Sequence, residues 1–338
     1  MISGMGRRSV AVSGGLALLT LAVFAMAERE SAWHPAEVRR LQYRVQNRFG
    51  LEPSTMPGDW SFGRVSAVAT DSTGQEVYVF QRGKQADPII VFSSKGKYLR
   101  SWGRGMFSNP HGLRLDRDNN VWVTDNADHQ VMKFTRDGKL LLTLGIKGKA
   151  GTDTRTFNRP TDIAFAQNGD FYVSDGYGNS RVVKFSKAGK YILDWGKKGS
   201  APGKFDLPHS VQTDSKGLVY VSDRENNRIQ IFDPNGNFLK QWSHLGATQS
   251  IFITPQDDIW VLTHRDNEEN LAYDSLAGRI FHLELATGKV LGSIGSPGHW
   301  LNVSSTGDLF VGCVTGNVFH WTPGWMKGMG KPVPPDAK

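Results

Sequence analysis

Short apolar runs, each ending on a small, polar or acidic residue, recur along the chain. They read Val77-Tyr-Val-Phe-Gln81, Val121-Trp-Val-Thr-Asp125, Phe171-Tyr-Val-Ser-Asp175, Val219-Tyr-Val-Ser-Asp223, Ile259-Trp-Val-Leu-Thr263 and Leu309-Phe-Val-Gly-Cys313. The closing positions 81, 125, 175, 223, 263 and 313 stand 44, 50, 48, 40 and 50 residues apart. Five-residue runs rich in β-branched and aromatic side chains predict strands. A repeat of this length that holds four short strands predicts propeller blades, here six of them. The third unit shows all four strands, at 161–166, 171–175, 181–186 and 191–196. Asn168-Gly169 and Ala188-Gly189 punctuate it as hairpin turns. The 38 glycines are spread through the chain, as turns between many short strands require.

The fold class is therefore all-β, a six-bladed β-propeller over residues 57–322. The sixth unit stops after 317–321 and lacks an outer strand of its own. Asp59-Trp-Ser-Phe-Gly63 resembles outer strands such as the one that ends in Trp102-Gly103. An N-terminal strand is thus expected to complete the sixth blade and remove the exposed sheet edge. Residues 28–56 read as an extension outside the ring, with a short Arg-rich helix expected over 35–49. The Gly/Pro-rich tail 323–338 reads as irregular.

Residues 1–27 read as an export signal: Arg7 and Arg8, an uncharged apolar stretch from Val10 to Met26, and Ala25-Met26-Ala27 as a cleavage site. The apolar stretch is close to the length of a membrane span, so an uncleaved N-terminal anchor is the alternative to cleavage. An exported protein, periplasmic or secreted, is the expectation. Without residues 1–27 the chain carries 38 Lys and Arg against 32 acids, a net charge of +6. The basic residues are scattered and no recognition motif accompanies them, which speaks against nucleic acid as a partner. Cys313 is the single cysteine, so the chain holds neither an internal disulfide nor a thiolate metal cluster.

Fourteen residues before each closing position stand Ala67, His111, Thr161, His209, Gln249 and His299. Histidine occupies alternate blades, the second, fourth and sixth. Equivalent positions near the inner strands point to the axis, and alternate blades lie about 120° apart. Three imidazoles so arranged can share one divalent ion with an open position, the layout of a catalytic zinc. Imidazole ligands alone also suit copper, nickel and iron. Just past the closing positions stand Arg82, Tyr177 and Arg224. Arginine offers a bidentate clamp for a carboxylate, and a tyrosine beside a metal and guanidinium groups suits a general base. Arg181 and Arg228 begin the third strands of their blades and read as structural. His264 lies near the same register and stays unassigned.

Pro-His-Gly-Leu (110–113), Ser-Asp-Gly-Tyr-Gly-Asn-Ser-Arg (174–181), Pro-His-Ser (208–210) and Asp-Arg-Glu-Asn-Asn-Arg (223–228) resemble the peptidyl-α-hydroxyglycine α-amidating lyase family, six-bladed propellers of the NHL-repeat type. The resemblance runs from about residue 63 to 320 and is densest over 107–232. It implies zinc on His111, His209 and His299, Tyr177 as catalytic base, and Arg82 and Arg224 as active-site arginines. It implies cleavage of a carboxylate-bearing peptidyl-α-hydroxyglycine to a peptide amide and glyoxylate. It further implies a structural calcium held by the backbone carbonyls of Val68 and Leu113 and an aspartate at position 300. Trp300 stands there, which speaks against calcium. Pro297 replaces a methionine of the site wall, and Gly178 a cysteine of the disulfide-bearing members. Two other readings remain open at this point. One is a metal-dependent propeller hydrolase acting on another small substrate, and the other a non-enzymatic NHL-type scaffold.

Overall fold

In the computed structural model the described residues are 39–46, 49–50, 56–264 and 278–324. The export segment over 1–27, residues 35–38 and 47–48 of the expected 35–49 helix and nearly all of the 323–338 tail lie outside them. The chain forms six four-stranded antiparallel sheets arranged as a propeller. The strands, in chain order, begin with β1 (Tyr43–Gln46), which belongs to the last blade. Blade 1 is β2 (Val65–Thr70), β3 (Glu76–Gln81), β4 (Ile89–Ser93) and β5 (Tyr98–Trp102). Blade 2 is β6 (Pro110–Leu115), β7 (Val121–Asp125), β8 (Gln130–Phe134) and β9 (Leu140–Leu144). Blade 3 is β10 (Asp162–Phe165), β11 (Phe171–Asp175), β12 (Arg181–Phe185) and β13 (Tyr191–Trp195). Blade 4 is β14 (Pro208–Thr213), β15 (Val219–Asp223), β16 (Arg228–Phe232) and β17 (Phe238–Trp242). Blade 5 is β18 (Thr248–Ile253), β19 (Ile259–Thr263), β20 (Arg279–Leu283) and β21 (Val290–Gly295). Blade 6 is β22 (Trp300–Val303), β23 (Leu309–Cys313) and β24 (Asn317–Pro323), completed by β1.

The innermost strands β2, β6, β10, β14, β18 and β22 adjoin one another around the ring, and β22 returns to β2. Burial falls from the inside outward. The strands that carry the repeat, such as β7, β11 and β15, are buried at every position, whereas β9 and β13 are half open to solvent. That is why the repeat reads as solid apolar runs and not as alternation. Among the described residues no helix is long and apolar enough to cross a membrane.

An N-terminal strand does close the ring, but Tyr43–Gln46 supplies it and Asp59–Gly63 does not. Tyr43 pairs with Pro323 and Gln46 with His320. The expected helix over 35–49 is therefore overturned across its strand residues, and the ring extends into the expected 28–56 extension. Leu41, Tyr43 and Val45 alternate with polar residues, and Leu41 and Tyr43 pack on the cluster that holds Trp260 and Trp321. A strand period was there to read. Trp60 and Phe62 instead pack on Tyr98 and Phe92 of blade 1.

Tyr43 donates from its hydroxyl to the Gly307 carbonyl at 3.0 Å and meets the Trp260 ring edge-on at 6.1 Å. Tyr43→Ala is expected to cost about 2 kcal/mol of stability, a part-buried fraction of a core aromatic deletion. Denaturant unfolding measures it; a loss of a few tenths would mean that β1 does not belong to the cooperative ring.

Candidate active site at the propeller axis

Bulges at the start of the inner strands aim the site. The pairing register slips between Pro110 and Leu113, Pro208 and Ser210, Thr248 and Ser250, and Val65 and Ala67. A bulge leaves one residue outside the ladder and re-aims its side chain. His111, His209 and Gln249 lie in these slips. In blade 1 the residue in the slip is Ser66, so the fourteen-residue count overshoots there by one, onto Ala67.

Each histidine is locked by a carbonyl of the next blade. Nδ1 of His111 donates to the Thr161 oxygen at 2.8 Å, that of His209 to the Gln249 oxygen at 2.6 Å, and that of His299 to the Ser66 oxygen at 2.6 Å. A carbonyl only accepts, so the proton sits on Nδ1 and each Nε2 presents a lone pair. The three ring centroids form a nearly equilateral triangle of 4.9, 5.0 and 5.1 Å. One ligand atom from each ring lies within 4.8 Å of the others, and all three residues are buried. Burial, with the neighbouring cationic groups next, holds His111 and His209 well below the ordinary imidazole range; burial chiefly holds His299 at about 3.

Tyr177 closes the triangle from the open side. Its hydroxyl lies 3.2 Å from Nε2 of His111 and 3.1 Å from Nε2 of His209. One hydroxyl proton cannot serve two acceptor nitrogens, so the cluster holds more lone pairs than protons. A cation satisfies that surplus, and the three histidines fit a metal ion held by neutral imidazoles whose outer nitrogens are already fixed. The loop carrying Tyr177 follows a backbone with no space for side chains. A Cβ on Gly176 would stand 2.1 Å from the Pro208 oxygen, and one on Gly178 2.1 Å from Cγ of Asn158. The obstacle at 178 is the Asn158 side chain, so a cysteine there would require Asn158 to move aside.

Both arginines expected at the site are there. Nε of Arg82 donates to Oγ of Ser66 at 2.8 Å and to the Pro110 oxygen at 2.7 Å. Burial lowers its pKa from the ordinary value, opposed by the Tyr177 hydroxyl. Arg224 lies 5.8 Å from the Tyr177 ring centre, is ion-paired with Glu225 at 2.8 Å, and donates to Oε1 of Gln249 at 3.2 Å. Arg181 and Arg228 bond Asp175 at 3.0 Å and Asp223 at 2.7 Å, away from the histidines and in the structural role expected. His264 occupies in blade 5 the place of Arg224 in blade 4: its N–H bonds the Ala247 carbonyl as that of Arg224 bonds Leu207.

Sequence reasoning missed Arg159. Its guanidinium lies 5.4 Å from the Tyr177 ring centre, and its carbonyl accepts the Tyr177 N–H. Its φ of +63° is shared by Leu207 at +62°, and both residues precede the proline that leads into an inner strand. The shared backbone position was the available signal.

The NHL repeat model matches residues 107–134, 157–185 and 205–232, in blades 2 to 4. The chain is 41% identical over 235 residues to peptidyl-alpha-hydroxyglycine alpha-amidating lyase 1 of Drosophila melanogaster, covering 59% of this chain and 43% of that protein. It is 31% identical over 257 residues to the probable peptidyl-alpha-hydroxyglycine alpha-amidating lyase of Caenorhabditis elegans, covering 67% of this chain and 72% of that one. It spans only 22% to 28% of the length of the amphibian and rodent peptidyl-glycine alpha-amidating monooxygenases that it matches. Among solved structures, a streptogramin B lyase superposes with a TM-score of 0.55 at 13% identity, covering 83% of this chain and 98% of that one, a likeness of fold alone.

The depressed histidine pKa values set a pH dependence with a definite sign. Without metal, the unfolded chain binds protons near pH 6.5 that the folded chain refuses, so stability is full above about pH 6.5. It is expected to fall as pH drops from there toward the folded values. Melting of the metal-stripped protein between pH 7 and 4.5 measures the slope, and His209→Gln should flatten it. An unchanged slope in that variant would mean that His209 is not held neutral.

Proposed function

Because the chain belongs to the peptidyl-α-hydroxyglycine α-amidating lyase family, we propose that it is a zinc-dependent lyase. It cleaves the C–N bond of a peptidyl-α-hydroxyglycine-like substrate to a peptide amide and glyoxylate. The observation that carries this reading is the Tyr177 hydroxyl, seated within 3.2 Å of two histidine Nε2 atoms at the mouth of a three-imidazole cluster. His111, His209 and His299 would hold the ion. Three neutral imidazoles with an open position suit zinc, which when bound supplies Lewis-acid polarisation of the substrate hydroxyl.

The chain's own residues do the rest. Tyr177, as phenolate, takes the proton of the α-hydroxyl. The electron pair of that O–H bond becomes the second bond of the aldehyde carbonyl, the C–N bond breaks, and the departing amide nitrogen takes up a proton. No water is consumed. Arg82 spends Nε on Ser66 and Pro110, which orients its two Nη groups as a unit for the substrate carboxylate. Arg224, held by Glu225 and Gln249, flanks the tyrosine ring and adds a second guanidinium for the substrate carboxylate. Burial of the cluster keeps water from weakening these interactions. The export signal read in residues 1–27 supports an activity outside the cytoplasm on a peptide substrate with a free carboxylate.

Glyoxylate release from α-hydroxyhippurate by the zinc-loaded protein tests the reading. Tyr177→Phe is expected to lower kcat by roughly 10²–10⁴-fold, the usual range for a lost general base, with KM little changed. A Tyr177→Phe protein that keeps its rate would favour a metal-bound water as the reactive group, and with it a hydrolase.

A further inference from the structure

Directly beneath the histidines the axis holds a second cluster, three residues further along β6 and immediately after His299. Arg114, 4% exposed, points inward from blade 2. Its Nε lies 2.9 Å from Oδ1 of Asp162 in blade 3 and its Nη2 2.7 Å from Oδ2, a bidentate pair. Nη2 also donates to the Ile251 oxygen of blade 5 at 3.1 Å. Oδ2 of Asp162 accepts Oγ of Ser210 at 2.7 Å and the Val211 N–H at 3.2 Å, both in blade 4. Oγ of Ser210 in turn accepts the Ile251 N–H at 3.1 Å. The guanidinium carbon lies 4.5 Å from the ring centre of Trp300 in blade 6. One guanidinium thus connects five of the six blades.

Trp300 is fully buried between this cluster and the histidines. Its ring runs 27° from that of His299 at 6.3 Å and meets that of His111 edge-on at 6.1 Å. Blade 2 admits it through Gly112, where a Cβ would come within 3.0 Å of Cη2 of the indole.

The calcium that the family resemblance implies does not fit here. Calcium takes six to eight oxygen ligands. The carboxylate nearest the axis, Asp162, is engaged on both oxygens, and an indole stands at position 300. Nη1 of Arg114 and Nε1 of Trp300 are buried without a hydrogen-bond partner among the described residues, and both are donors. A cation site leaves surplus acceptors; this layer has surplus donors.

We propose that Arg114, Asp162 and Trp300 form a side-chain plug on the propeller axis. The guanidinium ties the blades where a second metal ion would otherwise do so, and Trp300 is a positioning residue that floors the three-histidine site. The chain then holds one metal ion per ring.

Calcium added to the purified full-length chain, freed of calcium and carrying one equivalent of zinc, is expected to leave the melting temperature unchanged. After dialysis against calcium, elemental analysis should find none retained. A rise in melting temperature with calcium, or one retained equivalent, would overturn the plug. Arg114→Met and Asp162→Asn should each lower the melting temperature by roughly 10 °C, and the double variant by much less than the sum. Small, additive losses would also overturn it, and if these variants fail to fold, the calcium measurement decides alone. The floor rests on the three-histidine metal reading but not on the reaction, so its readout is zinc affinity against a chromophoric chelator. Trp300→Ala should weaken it about tenfold, Trp300→Phe should restore most of it, and Arg117→Met, an exposed side chain beyond β6 bonded to the Gln167 carbonyl, should leave it alone. Equal affinity in Trp300→Ala would remove the positioning role, and failure of the lyase assay would touch neither measurement.

Discussion

Everything at the axis depends on three hydrogen bonds between blades, from Nδ1 of His111, His209 and His299 to the carbonyls of Thr161, Gln249 and Ser66. Each bond does two jobs. It spends the only imidazole proton on an acceptor that cannot return one, which fixes the tautomer. It also sets the ring's direction from a neighbouring blade, so the triangle of Nε2 atoms measures how the blades are packed. Sixfold geometry supplies the alternation: the even blades present a side chain and the odd blades a backbone oxygen at equivalent places in the ring. In blades 1, 2, 4 and 5 a bulge makes the group available, because a residue outside the ladder has a side chain free to turn and a carbonyl free to accept, whereas Thr161 and His299 stand just before their inner strands.

Acidic closing residues extend the same logic to the loops above. Asp223 accepts the Asp206 N–H, the Asn226 amide and the Arg228 guanidinium, and so holds the 3-10 turn Arg224–Asn226 that presents Arg224. Asp175 does likewise with Asn158, Asn179 and Arg181 around Tyr177. Blade 1 lacks the acid, and Gln81 substitutes by accepting Gly63 N–H on Oε1 and donating from Nε2 to the carbonyls of Ala86 and Asp87. The repeat signature and the candidate site are thus one feature in blades 1, 3 and 4, where the residue that ends the buried strand also holds the loop that carries Arg82, Tyr177 or Arg224.

This explains how much was legible in the sequence. Fold class, blade number and the meeting of three histidines follow from periodicity, because a buried strand and its closing acid are local and repeat. Tyr177, Arg82 and Arg224 sit one or two residues past those marks and were readable for the same reason. What repeats imperfectly was not. The bulge in blade 1 moves the axial residue from Ala67 to Ser66, and counting cannot see a bulge. The closing strand alternates over only Leu41, Tyr43 and Val45, a signal that an Arg-rich neighbourhood outweighed until β24 supplied a partner. Nothing in the sequence around Arg114 marks its role; only the tertiary structure brings Asp162, Ile251 and Trp300 to it.

The two axial layers differ in the sign of what they leave unpaired, and that difference decides what each can hold. In the upper layer three Nε2 lone pairs face one phenolic proton, an excess of acceptors in a buried place, which is costly unless a cation enters. In the lower layer the unpaired atoms are N–H groups of Arg114 and Trp300, beside a carboxylate whose charge the guanidinium already matches. A free cation there would face donors and an indole. Adjacent layers of one channel therefore carry opposite demands, and the indole between them keeps them separate. An ion entering from the Tyr177 side meets the three imidazoles first and finds Trp300 beneath them.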